Sequence, residues 1–516
     1  MTAVLLAPAT PPVGAPARPP RRRRFLPVAV LLVILIAAHA WNLADQPFPN
    51  DDEGAYISQA WAVQHGQLAH YTYWYDHPPL GWIQLAVLSW PGQWLLPGLP
   101  ALVHGRIAML VVLAITLLLV YTVARRLQGT RWTALLAMAI AGLSPLALSM
   151  QHQVYLDNFA VMWLLAAFAL ALSPRTHLWQ HVAAGVATSF AVLSKETIAI
   201  AVPAVIVALW QGSHPSTRRF SLAGFLSGMI FTASLYPLYA ALKGELFPGE
   251  DHVSLLGTLA FQLHDRAGTG SVFVPGTEAH ELLMSWLAND PVLLIGGLAA
   301  AVAGLAVRPA RAPALAVLLL VVVALRPGGY LPKMYIVQLV PFLALSVAGV
   351  AAAIVIRAER GFGSALVTTV LIVTGAIALT GWPVTDARML TESTNDGYTA
   401  ASRWLREEMP VRPGQRTIVD GVLWVDLVRA GHAPGLGAIW HYKIDLDPAV
   451  QSTLPNGWRD VDYVVSTPAV RGEAAQLPTL AGALAHSRVV ATFGTGGGRI
   501  EVREVTTTTR PEREAS

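Results

Sequence analysis

The sequence contains no cysteine and few charged residues. None of its 516 residues is Cys, and Asp, Glu, Lys and Arg together make up 13%, whereas 54% are hydrophobic. The absence of cysteine excludes disulfides, thiolate metal ligands and thiol catalysis. A charge content this low, with a mean hydropathy of +0.50, is not typical of soluble domains. The composition therefore predicts an integral membrane protein with many spans.

Apolar segments recur over the first three quarters of the chain. Because a span takes about 20 apolar residues, we predict about eleven transmembrane helices. The candidate segments are residues 25–41, 102–124, 131–149, 154–172, 178–194, 197–211, 219–241, 288–307, 312–326, 334–356 and 363–382. The first segment has an alternative interpretation as a signal peptide, since Ala38-His39-Ala40 resembles a cleavage site. We expect it to remain as the first span.

Positive charge follows the predicted alternation of loops. If Arg21 to Arg24 face the cytoplasm, every second loop does so too, and each of those loops contains arginine, as the positive-inside rule requires. These arginines are Arg125, Arg126, Arg131, Arg175, Arg218, Arg219, Arg308, Arg311, Arg357 and Arg360. The net charge of +4 is thus explained by topology rather than by a nucleic-acid partner. We expect a multi-pass plasma-membrane protein, of bacterial composition, with a cytoplasmic N terminus.

The first outer loop, residues 42–100, lacks Lys and Arg altogether. Its segments EGAYISQAWAVQHG and LGWIQLAVLSWPGQWLLPGLP predict two interfacial elements, the first a short amphipathic helix. Most of the acids of this loop lie in NDDEGAYISQAW (50–61) and YWYDHPPLGW (73–82), and further charges of both signs fall at the outer ends of other spans. A charge at mid-span costs about 2.5–3.5 kcal/mol and less towards the interface, so charges gathered on one side indicate a functional site.

The composition changes after Trp382, where long apolar runs cease. We predict a disordered cytoplasmic tail at 1–24, a transmembrane catalytic domain at 25–382, an extracytoplasmic α/β domain at 383–505 and a disordered tail at 506–516. Within the α/β domain, YTAASRWLREEM and EAAQLPTLAGALAHS predict helices, and RTIVDG, VDYVVST, RVVATF and GRIEVREV predict strands. The fold class is therefore a polytopic helical membrane protein with a C-terminal soluble domain.

Acids at the outer mouth of a helical bundle have several uses. They can activate a hydroxyl, bind a metal, transfer protons in a transporter, or cap a helix whose dipole favours negative charge. A cap explains Asp51, Asp52 or Glu53 taken singly, but not Asp76-His77-Pro78-Pro79. The combination of both motifs favours a functional interpretation.

Several motifs together resemble a known family. In order, they are Asp52-Glu53 with Tyr56, YDHPPL, Arg106, the Asp of QVYLDNFA, LSKETIAIAVP and YIVQLVPFLAL. This series resembles the GT-C membrane glycosyltransferases over residues 25–356, most of all the dolichyl-phosphate-mannose-protein mannosyltransferase type, which includes the lipid A aminoarabinose transferases. The resemblance implies transfer of a sugar from a polyprenyl-phosphate donor to a protein, glycolipid or polysaccharide acceptor on the outer face of the membrane.

The resemblance also implies roles for individual residues. Asp52 is expected as the general base of an inverting displacement, with Asp51 or Glu53 as the alternative, and Asp157 as the second acid. Cations near the donor phosphate would neutralise the leaving group. The predicted site comprises catalytic Asp52, Glu53 and Asp157, phosphate-binding Arg106, Lys195, Arg326, Lys333 and Tyr335, and pocket residues Asp51, Tyr56, Asp76, His77, Pro78 and Pro79.

Some alternatives stay open at this point. His77 occupies a position where relatives often have Lys, so a phosphate contact there would depend on pH. Asp76 and His77, with His65 and His70, are an alternative divalent metal site without regular ligand spacing. A proton-coupled transporter or lipid flippase would place charges near mid-span in inverted repeats, which the sequence does not show. A noncatalytic receptor would not need eleven spans.

Overall fold

The computed structural model describes residues 21–127, 129–250, 252–326, 329–358 and 379–506. The predicted disordered tails therefore lie almost entirely outside the described residues. The helices up to residue 358 are α1 (Arg21–Trp41), α2 (Asp51–Gln64), α3 (Leu80–Leu95), α4 (Ala101–Arg126), α5 (Arg131–Leu143), α6 (Pro145–Met150), α7 (Leu156–Ala171), α8 (Leu178–Ser194), α9 (Val202–Gly212), α10 (Arg218–Ala233), α11 (Leu235–Leu242), α12 (Leu255–Ala260), α13 (Glu278–Asn289), α14 (Gly297–Gly304), α15 (Arg311–Ala324) and α16 (Ile336–Ala358). Short 3-10 or π turns lie at Glu196–Ala201, Phe261–Asp265, Val292–Gly296, Arg308–Ala310 and Lys333–Tyr335.

Every predicted span before residue 358 contains helix, whereas the predicted span 363–382 lies mostly outside the described residues. Three helical segments in the described part are long and apolar enough to cross a membrane: Ala101–Arg126, Arg218–Leu242 and Lys333–Arg357. A fourth arises if the pair Glu278–Asn289 and Val292–Gly304, bent by 100°, forms one span. The predicted segment 131–149 is not one helix, because Ser144 is extended and Pro145 starts α6. The total of about eleven spans stays a prediction.

The helical part is held together by close backbone approach at small residues. Gly185 on α8 and Gly228 on α10 face the neighbouring helix so tightly that an added Cβ would lie 2.0 Å from the Phe225 carbonyl oxygen and 2.4 Å from that of Val182, respectively. Membrane helices associate through such small-residue contacts, since lipid provides little hydrophobic drive between helices. Buried apolar side chains of α4, α5, α7 and α16 form the continuous core beside this pair.

The C-terminal part combines helices with one mixed sheet. Its strands are β1 (Thr417–Val419), β2 (Ala438–Trp440), β3 (Tyr463–Ser466), β4 (Ser487–Phe493) and β5 (Ile500–Val505), in the order β2-β1-β3-β5-β4. The first three are parallel, while β5 is antiparallel to β3 and β4. Its helices are α17 (Trp382–Thr391), α18 (Asp396–Glu407), α19 (Gly421–Arg429), α20 (Lys443–Leu446), α21 (Pro448–Gln451), α22 (Pro468–Glu473) and α23 (Pro478–Ala485). Further 3-10 turns lie at Leu379–Gly381, Gly457–Asp460, Ala474–Gln476 and Gly496–Gly498. The three-residue strand β2 is not among the predicted strands.

The sheet packs directly on the first outer loop. Helix α2 meets the start of α19 where two glycines touch: a Cβ on Gly54 would lie 2.1 Å from the Gly421 carbonyl carbon. The Tyr71 hydroxyl donates to the Ala438 carbonyl oxygen at 3.1 Å and accepts the backbone N–H of Trp440 at 2.9 Å. The C-terminal part is thus fixed against the loop that contains the acidic motif.

We predict that Gly54→Ala loosens this contact. The new methyl group has backbone rather than a flexible side chain in its way, so the two helices must separate, at a cost of about 1–3 kcal/mol in unfolding free energy. Thermal unfolding of the purified protein in detergent measures the effect. Gly472→Ala is the matched control, because a Cβ there meets no atom within 4 Å. Equal melting temperatures for the two variants would contradict the proposed contact.

Candidate active site

The start of α2 fixes the directions of three consecutive acids. Asn50 is the N-cap: its side chain accepts the backbone N–H of Asp52 at 2.9 Å, and its own N–H donates to Glu53 at 3.3 Å. This reciprocal capping box gives hydrogen-bond acceptors to two backbone N–H groups at the start of the helix, those of Asn50 and Asp52. Successive side chains of a helix point about 100° apart, so Asp51, Asp52 and Glu53 face three different surroundings.

Glu53 faces inward and is paired with Arg106. The pair is fully buried, with Nε–Oε1 and Nη2–Oε2 distances of 3.0 and 2.9 Å. Glu53 also accepts bonds from the Gln153 side chain and the Val154 N–H, both at 3.0 Å. The remaining Arg106 donors bind the carbonyl oxygens of residues 43, 46 and 47, so all five N–H groups are in use. The predictions of Glu53 as a base and Arg106 as a phosphate ligand are therefore corrected to a structural ion pair.

Asp51 faces the C-terminal part. Its Oδ1 accepts the backbone N–H of Gly421 at 3.2 Å, and His441 and Asp420 lie within electrostatic range. Burial raises the pKa of Asp51 to about 7, with His441 opposing and the neighbouring acids Asp420 and Asp52 adding to that rise. Asp51 thus belongs to the contact between α2 and α19 rather than to an open pocket.

Asp52 faces a different group of residues. In the part of the chain that the structure describes, its carboxylate accepts no hydrogen bond, and the basic residues Lys195, His77 and Arg266 lie near it. Burial raises the pKa of Asp52, and these basic residues oppose the rise. A carboxylate that is available, partly desolvated and close to cations suits proton abstraction beside a bound anion.

His77, Lys195 and Glu196 form a compact chain of contacts. Lys195 Nζ lies 2.9 Å from His77 Nε2, and His77 Nδ1 lies 3.1 Å from Glu196 Oε2. Because a lysine ammonium can only donate, we assign Nε2 as the acceptor and Nδ1 as the protonated nitrogen that donates to Glu196. Glu196 thereby orients the ring of His77, which in turn positions the Lys195 ammonium.

Asp157 lies in the first turn of α7, within electrostatic range of Lys195. One of its oxygens accepts the Gln338 amide N–H at 2.6 Å, and the other is buried without a partner among the described residues. Gln338 also donates to Thr197 at 2.8 Å. Tyr56 lies among Asp52, Asp76, Asp157 and Glu196, whose fields add to the effect of burial in raising its pKa well above the usual value. Asp52, Tyr56, Asp76 and Asp157, which the sequence predicts as site residues, are thus neighbours in the fold.

The remaining predicted site residues make other contacts. Tyr335 is buried with its hydroxyl donated to the Leu320 carbonyl oxygen at 3.0 Å, and exposed Arg326 donates to that of Leu263 at 3.1 Å. Lys333 lies near the Glu53–Arg106 pair instead of near Lys195. Exposed Asp76 lies within electrostatic range of Asp52, and Pro78 and Pro79 lead into α3. Tyr335 and Arg326 are therefore not retained as phosphate ligands.

The alternative metal site has no assembled ligand set in the described residues, where no group of three or more His, Asp or Glu side chains is placed to hold an ion. His65 stacks on Trp61 with ring centroids 3.8 Å apart, and His70 packs against Trp424 at 5.5 Å. Both histidines thus belong to an aromatic cluster.

Three residues of the site were not among the predicted site residues. Arg266 reaches the surroundings of Asp52 from the 243–290 loop, where its guanidinium stacks 3.6 Å above the Tyr330 ring. Glu196 directly follows Lys195 in the chain, and this adjacency is the sequence feature that could have identified it as a site residue. Lys443, from the C-terminal part, is buried with Nζ 3.1 Å from the centre of the Trp74 ring and within electrostatic range of Asp76. No motif marked Arg266 or Lys443.

We predict that Asp51→Asn changes how stability depends on pH. An acid with a higher pKa in the folded than in the unfolded protein retains a proton that the unfolded chain loses, so stability falls as pH rises from 3.8 to about 7. His441, whose pKa is raised by Glu473 and Asp51, loses its contribution in the same direction. The melting temperature of Asp51→Asn minus that of the wild type should therefore increase over this range. A difference that does not vary with pH would contradict this assignment.

Part of the sequence matches a known family, and the fold is similar to solved structures. Residues 93–236 match the family described as dolichyl-phosphate-mannose-protein mannosyltransferase. The fold is similar to that of ArnT from Cupriavidus metallidurans bound to undecaprenyl phosphate, with a TM-score of 0.57, 15% identity, and coverage of 95% of this chain and 100% of ArnT. It is also similar to the apo oligosaccharyltransferase of Archaeoglobus fulgidus, with a TM-score of 0.53, 12% identity, and coverage of 93% and 75%. No curated protein matches the sequence.

The family match covers the region from the end of α3 to α11, which includes Arg106, Asp157 and Lys195. The similarity in fold extends over nearly the whole chain. The chain is therefore an integral membrane protein with the GT-C fold, and its predicted resemblance to glycosyltransferases of the dolichyl-phosphate-mannose-protein mannosyltransferase and lipid A aminoarabinose transferase type is confirmed.

Proposed function

We propose that this protein transfers a sugar from a polyprenyl-phosphate donor to an acceptor hydroxyl on the outer face of the plasma membrane. The observation that supports this most is the different surroundings of the three acids. Glu53 is saturated by Arg106, Asp51 is bonded to Gly421, and Asp52 alone among them has an available carboxylate beside the Lys195 and His77 cluster. A carboxylate base with an ammonium cation near it meets the two needs of phosphate-linked sugar transfer.

The chemistry follows from those positions. As the bond from the anomeric carbon to the phosphate breaks, positive charge develops on the sugar and negative charge on the departing phosphate. Lys195 and Arg266 stabilise that negative charge. Asp52 takes the proton of the acceptor hydroxyl, whose oxygen forms the new bond from the opposite face of the sugar, so the anomeric configuration inverts. Tyr56 and Asp157 border the sugar pocket, and the prenyl tail extends into lipid.

Lys195→Met should show two linked effects. Loss of the ammonium weakens donor binding, so the KM for the donor rises by about tenfold or more, because a charged hydrogen bond contributes about 1.5–3 kcal/mol. Since Lys195 opposes the rise in the pKa of Asp52, its removal also moves the acid limb of the pH–rate profile to higher pH. Steady-state kinetics over pH test both effects. An unchanged donor KM together with an unchanged acid limb would contradict the assigned position of Lys195.

The proposed function is tested in proteoliposomes that contain a polyprenyl-phosphate donor with a labelled sugar and an extract of envelope acceptors. Transfer produces labelled acceptor and free polyprenyl phosphate in equal amounts. A flippase instead moves the intact donor between leaflets and leaves the sugar–phosphate bond unbroken. Movement of intact donor without any labelled acceptor would overturn the proposal.

A further inference from the structure

A cleft lies between the first outer loop and the C-terminal sheet. Its volume is about 600 Å³, and residues from four separate parts of the chain line it, one of them Pro468 at the start of α22. Phe48 contributes from the loop before α2, the segment from Ser393 to Gly397 contributes the start of α18, and the glycine-rich turn after β4 contributes Gly494 to Gly498. None of these residues belongs to the pocket around Asp52, so the cleft is a second site.

The chemical character of the lining is polar and without positive charge. Its side chains are the hydroxyls of Ser393, Thr394 and Thr495, the carboxylate of Asp396 and the rings of Phe48 and Pro468. Ser393 donates to one oxygen of Asp396 at 2.6 Å, which leaves the other oxygen as an acceptor. The Thr495 hydroxyl has no partner among the residues that the structure describes. Arg471 contacts the lining at the Gly497 carbonyl oxygen, but its guanidinium is already bonded to carbonyl oxygens of Ser466, Gly497 and Arg499. Asp396 is the one charged side chain of the lining, which therefore favours a neutral ligand over a phosphate or a carboxylate.

Phe48 supplies an apolar surface next to these polar groups. Its ring makes a T-shaped contact with the ring of Tyr398, with centroids 5.6 Å apart, and Phe48 lines the cleft. The nearest atom to a Cβ built on Gly498 is an edge carbon of Phe48, at 3.6 Å, so the glycine leaves the ring uncovered. A sugar ring has an apolar C–H face and a rim of hydroxyls, and this combination matches an aromatic face flanked by hydroxyl, carboxylate and backbone groups.

The cleft is also close to the reacting centre along the chain. Phe48 precedes Asp52 by four residues, and four residues span at most about 14 Å. A ligand in the cleft therefore lies within the reach of a short oligosaccharide from the Asp52 carboxylate. We propose that the cleft binds the neutral oligosaccharide part of the acceptor and thereby presents a terminal hydroxyl to Asp52. This inference rests on the proposed transferase function and identifies the acceptor class as a glycan.

A substitution in the glycine-rich turn can fill the cleft and so test whether it binds a ligand. Gly497 lines it, has an ordinary backbone conformation, and would place a Cβ in open space, so Gly497→Trp fills the cleft without backbone strain. Gly472→Trp, on helix α22, is the control: a Cβ there also meets no atom within 4 Å, and Gly472 does not line the cleft. Phe48→Leu removes the aromatic face and keeps an apolar side chain.

The experiment measures binding of mannotriose, maltotriose and cellotriose to the full chain in nanodiscs by saturation-transfer NMR, together with the acceptor KM for transfer. We expect at least one trisaccharide to bind the wild type, Asp52→Asn and Gly472→Trp alike, and to bind Gly497→Trp and Phe48→Leu about tenfold more weakly or worse. Absence of binding to the wild type, or equal binding by Gly497→Trp at a normal melting temperature, would overturn the inference. Competition by a Ser/Thr peptide alone would overturn the glycan assignment. A third outcome separates the two proposals. If the wild type binds a trisaccharide and Gly497→Trp does not, but the wild type transfers no sugar, the result counts against the proposed function and not against the cleft as a glycan site.

Discussion

Asp52→Asn is expected to lower kcat for sugar transfer by about 10²–10⁴-fold, the usual contribution of a general base. The substitution keeps the shape of the side chain and removes the basic oxygen. The capping box is formed by Asn50 and Glu53, and Asp52 contributes only its backbone N–H to it, so the helix remains capped. Donor binding should therefore persist, and the melting temperature should change little. Burst and steady-state kinetics with a labelled donor measure the loss.

Asp51→Asn is the adjacent control for this result. It removes the same charge one position away, where the carboxylate is bonded to the backbone of Gly421. We expect Asp51→Asn to change the melting temperature and its dependence on pH, and to leave kcat much closer to that of the wild type than Asp52→Asn does. A loss of kcat as large in Asp51→Asn as in Asp52→Asn would show that the charge of the cluster, rather than the position of Asp52, is what matters.

Glu53→Gln is expected to destabilise the protein by about 3–5 kcal/mol, because removal of one partner leaves the Arg106 guanidinium buried and unpaired. This is a large share of the roughly 5–15 kcal/mol that stabilises an ordinary domain. We expect little folded protein in detergent and a strongly lowered melting temperature. Glu407→Gln, at an exposed acid of α18, is the control and should stay within about 0.5 kcal/mol of the wild type.

Arg106→Lys separates this structural role from a phosphate-binding role. A lysine ammonium can still contact a phosphate as a point charge, but it has three donors on a flexible stem and cannot replace five fixed N–H groups. We therefore expect Arg106→Lys to melt nearly as early as Glu53→Gln. A stable variant whose only defect is a raised donor KM would return Arg106 to the phosphate site.

The sequence predicts the site residues better than their individual roles. Asp52, Tyr56, Asp76, His77, Asp157 and Lys195 do come together, because helix starts and loop ends at one side of a bundle share one surface. The different roles of Asp51, Asp52 and Glu53 depend on which residue each side chain contacts around the first turn of α2. That information lies in Arg106, Gln153 and Gly421, which are distant in sequence.

The fold follows a similar pattern. Apolar segment length and hydropathy locate the helices, whereas the break at Ser144 and the strand β2 were missed because each depends on a few residues in a tertiary context. No sequence pattern predicts that the C-terminal sheet packs on α2 either. It depends on Gly54 meeting Gly421, and glycines at such positions look the same in the sequence as glycines in turns.

The central claim is that the Asp52 carboxylate activates the acceptor of a polyprenyl-phosphate-linked sugar. The most direct measurement gives radiolabelled polyprenyl-phosphate sugars and envelope acceptors to purified wild type and Asp52→Asn, and follows donor binding and label transfer in the same samples. We expect both proteins to bind the donor and only the wild type to transfer label, with inversion at the anomeric carbon. Equal transfer by both proteins, or donor binding by the wild type without transfer to any acceptor, would contradict it.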